Sequence, residues 1–216
     1  MSKLFYEPSK GHGLVHDPLT AIVGPRPIGW VTTQGADGSV NLAPYSFFNA
    51  FNFSPPIIGF SSVGAKDSLR NVQESGEFVW NATTRRVAEQ MRETGNDWDY
   101  TENEFVHAGL EAAASRLVAP PRVAASPVNF ECKVSQIVQL KSYRGYRVPT
   151  WLVLGEVIGV HIDEALIVGG EFNTFGAEFV LRAGGNSAYA RITPDSRFDM
   201  RPKPEGLSFM KPNRLG

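Results

Sequence analysis

A single cysteine, Cys132, stands in a chain of 216 residues. That scarcity excludes an intramolecular disulfide and any zinc or iron–sulfur site built from several cysteines, and it fits a reducing, cytoplasmic compartment. Cys132 itself reads as a buried strand residue. Histidines are few as well: His12, His16 and His107 show no metal-ligand spacing, and no HExxH motif or histidine–carboxylate cluster occurs, so no metal is expected. Neither sign of charge dominates. With 21 basic and 22 acidic residues the net charge is −1, which removes the electrostatic footprint of phosphate-backbone binding, and nucleic acid is not an expected partner. Long apolar runs are missing too. The opening MSKLFYEPSK has no signal-peptide core, and the longest apolar region, Trp151 to Val160, is broken by Glu156, so no membrane partner is expected.

What is present is 42% apolar and 20% charged residues, enough for one sizeable core. A single domain over residues 1–216 is expected, with the Pro-, Arg- and Lys-rich stretch 197–216 as an extended C-terminal arm. Residues 27–34 alternate Ile28, Trp30 and Thr32 against Gly29, Val31 and Thr33, and 34–38, QGADG, is hairpin chemistry leading to a second strand at 39–45. Pro55 and Pro56 open a third strand, Ile57 to Val63. Asp67 is placed to cap a helix over about 68–74, with Gly76 past its end and a strand from Phe78 to Thr83. Residues 85–93 put Val87 and Met91 on one helical face, and 97–108 is a weaker helical stretch. Two long strands, Val128 to Leu140 and Trp151 to Ile162, flank a YRGYR turn; their length suits a barrel more than an open sheet. The chain lacks the regular strand–helix alternation of a parallel dinucleotide-binding sheet. The expected class is mainly β: a Greek-key barrel with two or three peripheral helices.

Chemistry concentrates in GPRPIGWVTT, residues 24–33, and NLAPYSFFNAFNFSPPIIGFSSVGAKDS, residues 41–68. Ser61, Ser62, Gly64, Lys66, Asp67 and Ser68 surround the start of the expected helix, where free N–H groups and the positive dipole end favour an anion. Without a G-x-x-x-x-G-K-[ST] loop, a monophosphate suits this turn better than ATP. The plainer reading is a capped helix with a solvated lysine. Phe47, Phe48, Phe51 and Phe53 alternate with Asn49, Asn52 and Ser54; packing accounts for the rings, but Ser46 and Asn49 need polar partners. Trp30, Thr32 and Thr33 fall in a buried strand, where a lone hydroxyl costs roughly 1–3 kcal/mol. Flat apolar walls at Pro27, Trp30 and Phe47, many hydroxyls and a phosphate turn together suit flavin mononucleotide. Arg26, between two prolines, is available to an anion or an intersubunit ion pair. His161 is either a proton donor or a structurally satisfied histidine. The GGNSAYAR segment, 184–191, either brings Tyr189 or Arg191 to a pocket mouth or simply turns into the last strand.

The succession PRPIGWVTT, NLAPYSFFNAFNFSPP, GFSS with KDSLRN, and EFVWN, followed by GEVIGVHID and GGNSAYAR, resembles the flavin reductase-like FMN-binding split-barrel family. Flavoredoxin and the reductase partners of two-component flavin monooxygenases belong to that family. The resemblance implies a six-stranded split barrel, a homodimer with FMN near the subunit interface, and NADH or NADPH as hydride donor, with a monooxygenase as a partner. On matching positions, Pro27, Trp30, Thr32, Thr33, Ser46, Phe47 and Asn49 look like ring and ribityl contacts. Ser61, Ser62, Lys66, Asp67 and Ser68 look like the phosphate end. No catalytic side chain is assigned, because the cofactor performs the chemistry. The expected activity is NAD(P)H-dependent flavin reduction; a flavoredoxin-like electron carrier and a non-redox barrel binding a small phosphate-bearing ligand remain alternatives. The motifs leave FMN against FAD, and the role of residues 84–127, open.

Overall fold

The computed structural model describes residues 2–200. In chain order the elements are α1 (Leu19–Ile22), β1 (Gly29–Gln34), β2 (Val40–Tyr45), β3 (Phe48–Asn52), β4 (Ile57–Val63), α2 (Asp67–Ser75), β5 (Glu77–Asn81), α3 (Ala88–Glu93) and α4 (Glu104–His107). Two-residue strands β6 (Ala112–Ala113) and β7 (Arg122–Val123) follow, then the long β8 (Val128–Lys141) and β9 (Arg147–Ile162). Short ribbons close the chain: β10 (Ile167–Val168) with β11 (Glu171–Phe172), and β12 (Val180–Arg182) with β13 (Tyr189–Arg191). Seven strands form one antiparallel sheet in the order β2-β1-β5-β8-β9-β4-β3. The sheet curls until β2 comes alongside β4 without pairing to it, which gives a split barrel.

Strand periodicity sorts the side chains into two cores. Val31, Tyr45, Phe60, Phe78, Cys132 and Val153 point into the barrel, and α2 lays Leu69 and Val72 onto them. Trp30, Leu42, Val87, Met91, Phe105 and Val180 form a second cluster on the outer face, under the helices and β12. Each fully buried large apolar side chain contributes about 1.5–3 kcal/mol. Register shifts between Glu131 and Cys132, Val134 and Gln136, and Gln139 and Lys141 bend the β8–β9 pair around the barrel. Gly155 lets the strands close in, because a Cβ there would collide with the Phe78 ring. Cys132 has no exposed surface, and burial pushes its thiol pKa well up.

Three expectations need correction. The sheet has seven strands, not six, because Phe48–Asn52 pairs with β4 as an edge strand. Asp67 does not cap α2: Lys66 is the N-cap and no side chain bonds the first turn, while Asp67 lies inside it and pairs with Arg70 at 3.4 Å. Among the described residues α-helix is split into four short pieces, of which α2 is the longest at nine residues. Of the expected C-terminal arm, residues 201–216 lie outside the described residues.

Candidate functional site

The hydroxyl-bearing strand β1 is sealed. Trp30, Thr32 and Thr33 have no exposed surface. The Trp30 indole donates to Thr94 Oγ1 at 2.9 Å, Thr32 Oγ1 accepts from Asn81 Nδ2 at 3.0 Å, and Thr33 Oγ1 accepts from Asn71 Nδ2 at 3.1 Å. The polar side-chain groups of all three thus find partners inside the protein: Thr94 for Trp30, Asn81 on β5 for Thr32 and Asn71 on α2 for Thr33. Ser62 is equally closed, its hydroxyl donating to the Gly64 carbonyl at 3.0 Å. Arg26 is also consumed internally, donating to the carbonyls of Ser46, Val23 and Thr20, so it is not free to hold an anion.

Other expected site residues stay accessible. Pro27 lines an apolar slot of about 220 Å³ with Trp80, Phe179 and the buried Thr83. Ser46 and Ser61 are half-buried; Phe47 and Asn49 are exposed on the edge of the sheet. The Ser61 N–H donates to the Phe47 carbonyl at 2.8 Å, so the 46–49 segment and the end of β4 run side by side. From there β4 leads through Gly64, whose φ of 88° makes the turn, to Lys66, Asp67 and Ser68.

At the start of α2 lies a polar cavity of about 220 Å³, lined by Lys66, Asp67, Ser68, Asn41, Tyr45, Trp98 and Glu104 among others. Two of its groups are buried without a hydrogen-bond partner: Tyr45 Oη and Trp98 Nε1. Tyr45 Oη lies beside the Ser62 and Ser68 hydroxyls without bonding to either in normal geometry, and Ser68 Oγ accepts from Asn41 Nδ2 at 2.7 Å. Glu104 is buried and accepts from the Leu42 N–H at 3.0 Å, and burial pushes its pKa up. The far wall is braced by side-chain stacking. Trp98 stacks on His107 at 3.9 Å, His107 Nε2 is 2.6 Å from Glu102 Oε2, and Arg70 sits 3.1 Å over the Tyr100 ring.

An anion fits this cavity. Orphaned donors, an uncapped helix start and Lys66 all call for an acceptor-rich group; of the acidic residues lining the cavity, Asp67 is paired with Arg70 and Glu104 accepts from the Leu42 N–H, while Asp97 adds a third carboxylate. A flavin monophosphate is such a group. The sequence reading found Lys66 and Ser68 but missed Tyr45, Trp98 and Glu104. Tyr45 lay within a motif already singled out, whereas the other two lie in the 84–127 stretch that matched no motif.

The sequence pattern of the flavin reductase like domain family matches residues 24–174. The chain belongs to that family. Membership supports a flavin-binding oxidoreductase. An uncharacterized protein of Aquifex aeolicus is 35% identical over 154 residues, 69% of this chain and 75% of that protein. Nitrilotriacetate monooxygenase component B from Bacillus cereus is 27% identical with a TM-score of 0.82, covering 92% of this chain and 100% of that one. The 2-nitrobenzoate 2-nitroreductase NbaA of Pseudomonas fluorescens is 29% identical with a TM-score of 0.76, covering 89% of this chain and 92% of that one. The flavin reductase match includes the whole of β1 to β9 and the start of α2, but stops before the β12–β13 hairpin.

His161 lies away from the α2 cavity. Its Nε2 is 2.5 Å from Glu131 Oε1, and the same carboxylate accepts from the N–H groups of Arg116 at 2.8 Å and Leu117 at 2.6 Å. Burial acts to raise the Glu131 pKa, but these two N–H groups and His161 outweigh it and hold the carboxyl below its usual range. Glu131 thus fastens the 116–117 segment against β8, and His161 braces the same carboxylate.

Proposed function

We propose that this chain binds FMN with the phosphate in the α2 cavity and works as an NAD(P)H-dependent flavin reductase. The observation that carries the reading is the pair of buried, unpartnered donors, Tyr45 Oη and Trp98 Nε1, on two side chains that line the same cavity as Lys66. An unpartnered buried polar group costs roughly 1–3 kcal/mol, and an acceptor oxygen placed between these donors removes that cost. Lys66 supplies the charge-assisted contact, and the free N–H groups of the first turn of α2 add directed donors. The adjoining 46–49 segment and Ser61 offer Ser46, Phe47 and Asn49 to the ribityl chain and ring. Bound FMN supplies a ring able to take a hydride from NADH or NADPH; the chain orients it and shields one side from water.

A homodimer belongs to the same reading. Phe47, Phe51 and Phe53 are 43%, 52% and 81% exposed on or beside the edge strand β3, a surface that a second copy would cover. The likeness to a monooxygenase component B supports an oxygenase as recipient of the reduced flavin. The first test is the absorption spectrum of purified protein, expected to show bound flavin, followed by anaerobic titration with NADH and NADPH. A preparation that stays colourless and gives no binding signal after incubation with FMN would overturn the proposal; a yellow protein bleached by neither nucleotide would point instead to an electron carrier.

A further inference from the structure

A hollow of about 480 Å³ lies between α3 and the β12–β13 hairpin. It shares no lining residue with the α2 cavity. Val180 and Ala88 form apolar walls, Tyr189 adds an aromatic ring, and Arg85, Arg92 and Arg191 bring guanidinium groups to the same space. Glu89 is the one acidic residue that lines it. Val180, Tyr189 and Arg191 come from the C-terminal hairpin, beyond residue 174 where the family pattern ends, whereas Arg85, Ala88, Glu89 and Arg92 lie within it.

Volume and chemistry both describe a small-molecule site. Ligand clefts run from about 300 to 1,000 Å³, with apolar walls and a few convergent polar groups. The guanidinium groups are engaged only by loose, solvent-exposed ion pairs: Arg85 to Glu89 at 3.6 Å, Arg191 to Glu178 at 3.3 Å and Arg92 to Glu93 at 3.7 Å. Such pairs are worth about 0–1 kcal/mol and yield readily to a better-placed anion. Arginine's planar fork matches a carboxylate in a bidentate fashion, and a flat apolar body suits the walls between Val180, Ala88 and Tyr189.

We infer that this hollow binds a planar organic carboxylate of one or two rings, at a site separate from the flavin phosphate. The test is calorimetric titration of the full-length protein with 2-naphthoate, and with 2-naphthamide as its uncharged counterpart. Saturable one-to-one binding is expected, at least tenfold tighter for the acid than for the amide, and unchanged when FMN is saturating. The Arg85→Gln/Arg92→Gln variant should lose that tenfold preference, Arg191→Gln should weaken the acid at least threefold, and the remote Arg144→Gln should match the unmodified protein. Because Arg85, Arg92 and Arg191 are all solvent-exposed, the single Arg191→Gln change keeps the test decisive if the double variant folds poorly. Absence of saturable binding, equal affinity for acid and amide, or arginine variants that titrate like the parent would each overturn the inference. Displacement of naphthoate by FMN would overturn the separation of the two sites.

Discussion

Thr32 and Thr33 on β1 and Tyr45 on β2 sit on paired strands, all buried, all carrying a hydroxyl, yet only one set is satisfied. Asn81 and Asn71 reach the threonines, while no side chain forms a hydrogen bond of normal geometry with Tyr45 Oη. A buried hydroxyl is therefore informative only through what faces it. The β1 wall completes itself and holds the barrel to its helices; the α2 cavity is incomplete and asks for a guest.

The sharpest way to break that contrast is at Asn81. Its amide donates to the Trp30 carbonyl and to Thr32, and its Oδ1 accepts from the Val123 N–H and from Asn129. Asn81→Ala should cost about 3 kcal/mol or more of stability in urea unfolding, because several buried groups lose their partners at once. A loss below about 1 kcal/mol would mean that water or rearrangement replaces the network. Next in size is Lys66→Ala, expected to weaken FMN binding by about 1–3 kcal/mol with little change in urea midpoint, and by less in high salt, as fluorescence titration would show. Unchanged affinity would move the phosphate away from α2. Tyr45→Phe separates the two regions most cleanly. Deleting an unpartnered donor should leave the flavin-free protein as stable as before or slightly more so, yet weaken FMN by about 1 kcal/mol.

The smallest effect is in pH dependence. Glu104 has a raised pKa in the folded chain, so its contribution to stability is full below the ordinary carboxylate value and is lost as pH rises through the raised one. Glu131 is lowered, so its contribution is present above the ordinary value and is lost as pH falls through the folded one. Urea unfolding from pH 4 to 8 should therefore show Glu104→Gln gaining on the parent as pH rises above the ordinary carboxylate value. An identical pH profile for the two proteins would remove Glu104 from this account.

Much of the scaffold was legible because turn chemistry is local. The QGADG hairpin, the Pro55-Pro56 entry to β4 and the Gly76 stop of α2, in the left-handed region at φ 68°, all act within a few residues of themselves. The alternation of Trp30 and Val31 likewise announces a strand with two apolar faces. The partners of Thr32 and Thr33 were not legible, since Asn81 and Asn71 arrive from distant segments. Packing is the sequence reading for the phenylalanines of 47–53, yet Phe47, Phe51 and Phe53 remain on the surface of the single chain. At the site, Lys66 and Ser68 declared themselves by adjacency to a helix start, whereas Trp98 reaches the same cavity from a segment with no motif and is fixed there by His107.

Cys132 offers a built-in clock. The only thiol of the chain faces the barrel interior, with no exposed surface and a strong bias against the reactive thiolate. Alkylating reagents added to native protein must wait for the sheet to part, so the rate at which a single label appears counts openings of the barrel, and a guest that holds α2 closed against it would slow the count.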